Sequence, residues 1–337
     1  MSAAGIDRWL YPTARGLYCA PADVYIDPAS PVERAIITHG HSDHARPGHG
    51  AVLATHETIE IMKVRLGEDA AGRFEALALG KPLAMGGVAI RLVPAGHVLG
   101  SAQVVLEWKG QRAVVSGDYK RSADPTCLPF EPIACDVFVT EATFALPVFR
   151  HEPAMSEVQR LLASMHRNPA RAHLVGAYGL GKCQRVIRLA RDAGYDKPVY
   201  LHGAHLAMTE LYERLGVELG EIRPATDARP QDLAGALVLA PPSAVTDRWS
   251  RRFPDPVTAF ASGWMRIKGR VRQSGVELPL VISDHADWPE LIATVLETGA
   301  EDIWVTHGRD DALVYELERR GLKARALSLV GFEDEGE

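Results

Sequence analysis

Thr38-His39-Gly40-His41-Ser42-Asp43-His44 is the stretch on which the reading of this chain turns. It directly follows the apolar segment Ala35-Ile36-Ile37. In extended backbone, residues two apart face the same side, so His39 and His41 can present their imidazoles to one ion. Asp43 and His44 follow as the chain turns and can face a second ion nearby. Imidazole and carboxylate donors suit zinc, manganese or iron, and a paired site is the usual arrangement for activating water against a phosphate. A lone histidine at a strand end is usually structural. Three histidines and one aspartate within residues 39–44 point to metal instead.

Further candidates recur at the ends of apolar segments. His97 lies in Pro94-Ala-Gly-His-Val-Leu-Gly100, where Gly96 and Gly100 let the backbone bend around a ligand. Asp118, in Val-Val-Ser-Gly-Asp-Tyr, can bridge two ions. Asp27, in Val-Tyr-Ile-Asp-Pro, ends the first strand and suits an orienting carboxylate, which acts through its hydrogen bonds to a ligand. Glu141 (VTEATF), His285 (VISDHADW) and His307 (WVTHGR) follow the same strand-end pattern.

Around these motifs, short apolar runs alternate with helical periodicity, an α/β rhythm. Strands are expected at 35–38, 88–94, 102–108, 112–116, 136–140, 174–177, 199–202, 236–240, 258–261, 280–283 and 303–306. Helices are expected at 57–66, 156–166, 183–192, 205–215, 289–298 and 312–320. Seams near 145–153 and 271–279 flank a stretch poor in metal-ligand chemistry. One domain is therefore expected to be inserted into another: 1–150 and 279–337 forming one, 151–278 the other.

The 337 residues are 47% hydrophobic, ample for such cores, and the net charge of −6 argues against bulk electrostatic coating of nucleic acid. The start lacks the layout of a signal peptide, and no apolar run is long enough to span a bilayer, so a soluble cytoplasmic protein without membrane contact is expected. Cys19, Cys127, Cys135 and Cys183 form no CxxC pair, and reduced thiols are expected.

The ordered series Asp27, His39/His41/Asp43/His44, His97 and Asp118 resembles the metallo-β-lactamase superfamily, which implies an αββα sandwich. Glu141, His285 and His307 resemble the β-CASP nuclease branch, in which a second α/β domain is inserted. The resemblance implies two divalent metal ions, zinc or alternatively manganese. His39, His41 and His97 would bind one, Asp43, His44 and His307 the other, with Asp118 between them. It also implies a catalytic set of His285, Glu141, Asp118 and Asp27, with His285 polarised by Glu141 beside the scissile phosphate, and attack by a metal-bridging hydroxide.

Val175-Gly-Ala-Tyr-Gly-Leu-Gly-Lys-Cys-Gln-Arg-Val186 leads from a strand through glycines into a helix, with Lys182 as a point charge for phosphate. Its spacing is not that of a Walker loop. Ser262, Gly263 and Arg266 resemble a β-CASP strand-end motif. Arg266, Lys268, Arg270 and Arg272 would share one face if extended. His49, His56, His151, His166, His173, His202 and His205 read as structural, and Trp264 and Trp288 as packing residues with a secondary chance of stacking on a base.

The compact chain most resembles bacterial ligase-associated DNA exonucleases, which look like RNA 3′-end processing factors. That implies a DNA-hydrolysing nuclease, an exonuclease in DNA repair, associated with a DNA ligase and helicase. An RNA-processing ribonuclease is the alternative. A small-molecule metallo-hydrolase would not need Glu141, His285 or the insertion, and a non-catalytic scaffold would not keep every ligand position filled.

Overall fold

A computed structural model describes residues 5–327 of the chain. The first sheet is built from β1 (Leu10–Thr13), β2 (Gly16–Cys19), β3 (Val24–Ile26), β4 (Arg34–Ile36), β5 (Ala51–Ala54) and β6 (Phe74–Ala76), in that spatial order. Its first three strands are antiparallel and the rest parallel, with α1 (His56–Leu66) crossing between β5 and β6. Thr55 caps α1, its hydroxyl accepting from the Thr58 amide.

The second sheet begins with the meander β7 (Pro82–Met85), β8 (Val88–Pro94), β9 (Ala102–Trp108) and β10 (Gln111–Val115), then β11 (Val137–Ala142), which lies parallel to β10. After β11 the chain leaves this unit.

The departing chain forms α2 (Ala154–Arg167), β12 (His173–Gly176), α3 (Lys182–Asp192), β13 (Val199–Leu201), α4 (Gly203–Arg214), β14 (Ile222–Pro224), β15 (Leu237–Ala240), α5 (Pro242–Thr246), β16 (Val257–Ala261), α6 (Lys268–Ser274) and β17 (Leu278–Leu280). Its six strands make a parallel sheet ordered β14-β13-β15-β12-β16-β17. Strands buried on both faces read as unbroken apolar runs, as Leu237-Val-Leu-Ala240 does.

The chain then returns with α7 (Trp288–Thr298), β18 (Asp302–Gly308), α8 (Asp310–Arg319) and β19 (Lys323–Ala326), which extend the second sheet to the order β19-β18-β11-β10-β9-β8-β7. α7 starts on a reciprocal capping box between Asp287 and Glu290 and ends on the left-handed Gly299.

Alternation along the strands assigns the layers of the first unit. On β9, Val104 and Leu106 face a core shared with Leu17, Ile26 and Ile36 of the first sheet, and Val105 faces the layer containing Leu291 and Val295 of α7 and Leu313 and Leu317 of α8. Ile59 and Met62 of α1 cover the outer face of the first sheet with Val52 and Ile37. The result is the expected αββα layering. Each aliphatic side chain fully buried this way contributes about 1.5–3 kcal/mol.

The chain divides into one compact unit running up to Ala123, through Cys127–Phe149 and on from His285, and a second of Asp124–Thr126 and Arg150–Asp284. The second seam therefore lies six residues beyond the expected 278/279 boundary, because β17 pairs Leu278–Leu280 with Ala259–Ala261 of the inserted sheet. The strand expected at 280–283 is correspondingly displaced. Residues 1–4 and 328–337 of the expected outer spans lie outside the described residues. The segment around Arg266 is also corrected: it is a 3-10 turn, Gly263–Arg266, running into α6, so its alternating cations do not share one extended face. No helix among the described residues is long and apolar enough to cross a membrane.

Candidate metal centre

Beyond β4 the chain from Ile37 to Gly50 folds as irregular turns and brings its histidines inward. His39 and His44 are fully buried, and His41 is partly so. His41 Nδ1 lies 3.2 Å from His39 Nε2 and 3.0 Å from His97 Nε2, the latter delivered by the loop between β8 and β9. Asp118 Oδ2, after β10, lies 3.4 Å from His39 Nε2, 3.8 Å from His97 Nε2 and 3.4 Å from His44 Nε2. On the far side of that carboxylate, Asp43 Oδ2 is 3.5 Å from His44 Nε2. His307, near the end of β18, stacks on His44 with ring centroids 4.7 Å apart and planes 18° from parallel. Two convergent groups result, His39/His41/His97/Asp118 and His39/Asp43/His44, with donor atoms within 4.8 Å of one another.

Backbone strain and tight turns hold these positions. Asp27 and His307 both adopt left-handed φ, 43° and 56°, unusual for residues with a Cβ and typical of functional sites. Asp27 accepts from the Thr38 amide at 2.8 Å and the Thr38 hydroxyl at 2.6 Å, and His44 Nδ1 donates to it at 2.8 Å. That bond fixes the ring so that Nε2 faces Asp118. Gly96 has φ of 75°, and a Cβ there would sit 2.4 Å from the Lys120 carbonyl, so the glycine is required for the turn that presents His97.

The electrostatics match a cation-binding site. Burial pushes the His39 and His307 imidazoles down to about 4 and His97 well below its ordinary range, which keeps these rings neutral with lone pairs available. His44 is the exception: burial opposes its charge, but the carboxylates of Asp118, Asp43 and Asp27 hold it well above the ordinary histidine value. Burial likewise opposes ionisation of Asp118, yet the charge of His44 and hydrogen bonds from His39 and His44 keep this carboxyl well below its ordinary range. The neutral imidazoles of His39, His97 and His307 beside a buried carboxylate are deprotonated donors of the kind a divalent metal needs, and His44 would join them on losing its proton as the ion binds. The separations fit as well, since two nitrogens bound to one tetrahedral zinc lie about 3.3 Å apart.

A second constellation adjoins the first. His285 Nδ1 donates to Glu141 Oε2 at 2.9 Å, and Glu141 Oε1 accepts from the Tyr119 amide at 2.8 Å. Glu141 is 1% exposed and His285 5% exposed. Burial raises the Glu141 carboxyl above its ordinary value, with His285 pulling in the opposite direction. The His285 ring lies 4.6 Å from that of His97 and meets Phe144 edge-on at 5.9 Å. Asp118, Glu141 and His285 form a third convergent group.

The expected phosphate contacts belong to the second unit. Lys182 is corrected: its side chain is fully buried and paired with Asp284, so it is not an open charge for a phosphate. Ser262 is buried, and its hydroxyl accepts from the Trp264 amide at the start of the 3-10 turn. Gly263 is buried and Arg266 exposed. Trp264 lies beneath the Arg270 guanidinium, 5.4 Å away, and Trp288 packs in the core with Leu291. Sequence reasoning passed over Arg185, Asp124 and Asp284, which meet in a buried ionic cluster. The available signal was Arg185 three residues after Lys182, which places both on one face of α3.

Residues 26–176 match the model of the metallo-beta-lactamase superfamily. Among curated proteins, a "Probable DNA ligase" of Opitutus terrae is 28% identical over 95% of this chain and 31% of its own length. Endoribonuclease YSH1 of Mycosarcoma maydis is 27% identical over 54% of this chain and 25% of its own. Ribonuclease TTHA0252 of Thermus thermophilus is 25% identical over 71% of this chain and 63% of its own. The chain thus spans about a third or less of the first two. A solved structure, that of a protein of unknown function from Enterococcus faecalis V583, shares the fold at a TM-score of 0.57 and 13% identity, covering 89% of this chain and 80% of that one. With its layered sheets and its histidine and aspartate clusters at the strand ends, the chain carries a metallo-beta-lactamase domain over residues 26–176, and its relatives are consistent with the β-CASP nuclease branch.

Proposed function

We propose that this protein is a metal-dependent nuclease that hydrolyses phosphodiester bonds of DNA, acting as an exonuclease in DNA repair. The observation that carries the reading is the buried His285–Glu141 pair beside the metal-type cluster, with the His285 ring 4.6 Å from that of His97. Hydrolysis at a metal centre alone needs no such pair, whereas departure of a nucleotide oxygen gains from a positioned proton donor.

His39, His41, His97 and Asp118 would hold one divalent ion, and Asp43, His44, His307 and Asp118 the other. Zinc is favoured by the imidazole-rich donor set, with manganese as the second choice. When bound, such ions lower the pKa of water and neutralise charge on phosphate oxygens. The chain's own residues supply the rest. Asp27 fixes the His44 tautomer, and Glu141 fixes the His285 ring through Nδ1, leaving Nε2 to give a proton to the departing oxygen. Glu141 is itself held by the Tyr119 amide, so the pair is preorganised.

The match over 95% of this chain to a protein named a probable DNA ligase supports DNA and a functional association with a ligase. The relatives named as ribonucleases support RNA as the second reading.

End-labelled single-stranded DNA and RNA of one sequence, incubated with the protein and zinc or manganese, separate the two. Metal-dependent release of label from DNA, lost in His39→Ala and His285→Ala, is the expected result. Cleavage of RNA alone moves the protein to the second reading. Inertness toward both with metal bound overturns the nuclease proposal.

A further inference from the structure

Helix α3 carries two cations buried on one face, Lys182 at 0% and Arg185 at 2% side-chain exposure. Lys182 Nζ lies 3.0 Å from Asp284 Oδ2 and donates to the Ile282 carbonyl at 3.0 Å. Arg185 Nη1 lies 2.7 Å from Asp284 Oδ1 and also donates to the Ser283 carbonyl. The Nε and Nη2 of the same guanidinium engage Asp124. Residues 282, 283 and 284 are thus each gripped from α3, although they lie past the end of β17 and outside the sheet. The next residue in the chain is His285.

From this we infer that Lys182 and Arg185 are positioning residues for His285, fixing the three residues that precede it so that its imidazole meets Glu141 in one geometry. The inference rests on the role proposed above for His285. Burying two cations against two carboxylates carries a desolvation penalty that apolar packing would avoid, so net stability is a weak reason for the arrangement. Geometry is a stronger one. A planar guanidinium fork bonded to two carboxylates and a carbonyl admits few orientations, and small displacements of a reacting group are costly in rate. Asp124 extends the same logic, because it lies six residues after Asp118 in the chain: one guanidinium ties the segment that follows the central carboxylate to the segment that precedes the imidazole.

The test uses the full chain carrying Arg185→Gln, Arg185→Lys or Lys182→Met. It follows the imidazole N–H proton resonance of the His285–Glu141 hydrogen bond, assigned by its loss in His285→Gln, together with kcat, KM and bound metal. In Arg185→Gln the resonance is expected to shift or broaden and kcat to fall about 10²-fold, with KM and metal content held. Arg185→Lys keeps the charge but cannot span all its partners, so an intermediate loss of about 10-fold is expected. In a His285→Ala background, Arg185→Gln should cost about 2-fold or less further, because the two changes remove one function.

An unshifted resonance with retained activity overturns the inference, and so do losses that multiply in the double variant. Should Arg185→Gln fail to fold, Arg185→Lys and Lys182→Met give the same readings. If the wild-type chain cleaves no nucleic acid, the proposed function fails while the resonance still decides whether α3 positions His285.

Discussion

Asp27 contributes no atom to the convergent donor groups, yet it joins Thr38 to His44 through three bonds of 2.6–2.8 Å. Removing its charge while keeping its shape should loosen the His44 ring without displacing the fold. Asp27→Asn is expected to weaken metal retention about 10–100-fold, the usual effect of an orienting partner, measured by competition with a chelator. Unchanged affinity would mean that the loop backbone alone holds His44. At this scale the sequence was highly legible. His39, His41, Asp43 and His44 are close in the chain, and His97 and Asp118 follow the ends of β8 and β10 in one sheet, so the strand ends bring them to one rim. Irregular turns beyond β4, rather than alternation, aim the first four. Lys182 was misread because a glycine-rich turn before a helix looks the same in sequence whether its lysine meets a ligand or a buried Asp284.

Among the elements, α3 shows what burial does to reactive groups. Cys183 is completely buried and its thiol is pushed up to about 12, and Cys19 on β2 is buried with its thiol raised to about 11. The thiolate is the nucleophile, so at pH 8 both are closed by protonation as well as by access. Of the four cysteines, at most the two remaining should react rapidly with a thiol reagent in the native protein, and all four after denaturation. Fast labelling of Cys183 would show that α3 is not packed as described. Long amphipathic helices and seven-residue strands such as Val88–Pro94 were legible because several turns or alternations average out exceptions. The three- and four-residue strands β1, β2, β5, β6, β7, β14 and β19 were missed, being too short to display a period. The run at 266–272, whose cations would share one face only if extended, is instead a turn and a helix, and its two apolar residues, Ile267 and Val271, lie four apart and so fit a helical turn as well as an alternating strand.

For the whole molecule, metal binding and stability are linked. The donor set exists only when β4, β8, β10 and β18 are assembled, so an ion that binds it binds the folded chain and not the unfolded one. Restoring zinc to chelator-treated protein should raise stability by about 2.7 kcal/mol at 100 times the dissociation constant, seen as a higher thermal midpoint. Slower amide exchange in residues 37–50 and 95–101 should accompany it. An unmoved midpoint with metal bound would show that the site forms independently of the sheets.

The chain by itself determined its α/β class, the order of its metal-type motifs and the presence of an inserted unit. These rest on periodicity and on residues adjacent in sequence, which local stereochemistry converts directly into shared faces and shared rims. The resemblance already joined Glu141 to His285, and the tertiary structure set their 2.9 Å hydrogen bond across 144 residues; it alone decided that His307 stacks on His44 and that Arg185 directs its charge to Asp124 and Asp284. Those pairings depend on which strand lies beside which and on where a buried charge finds its partner, and neither is encoded in the spacing along one segment.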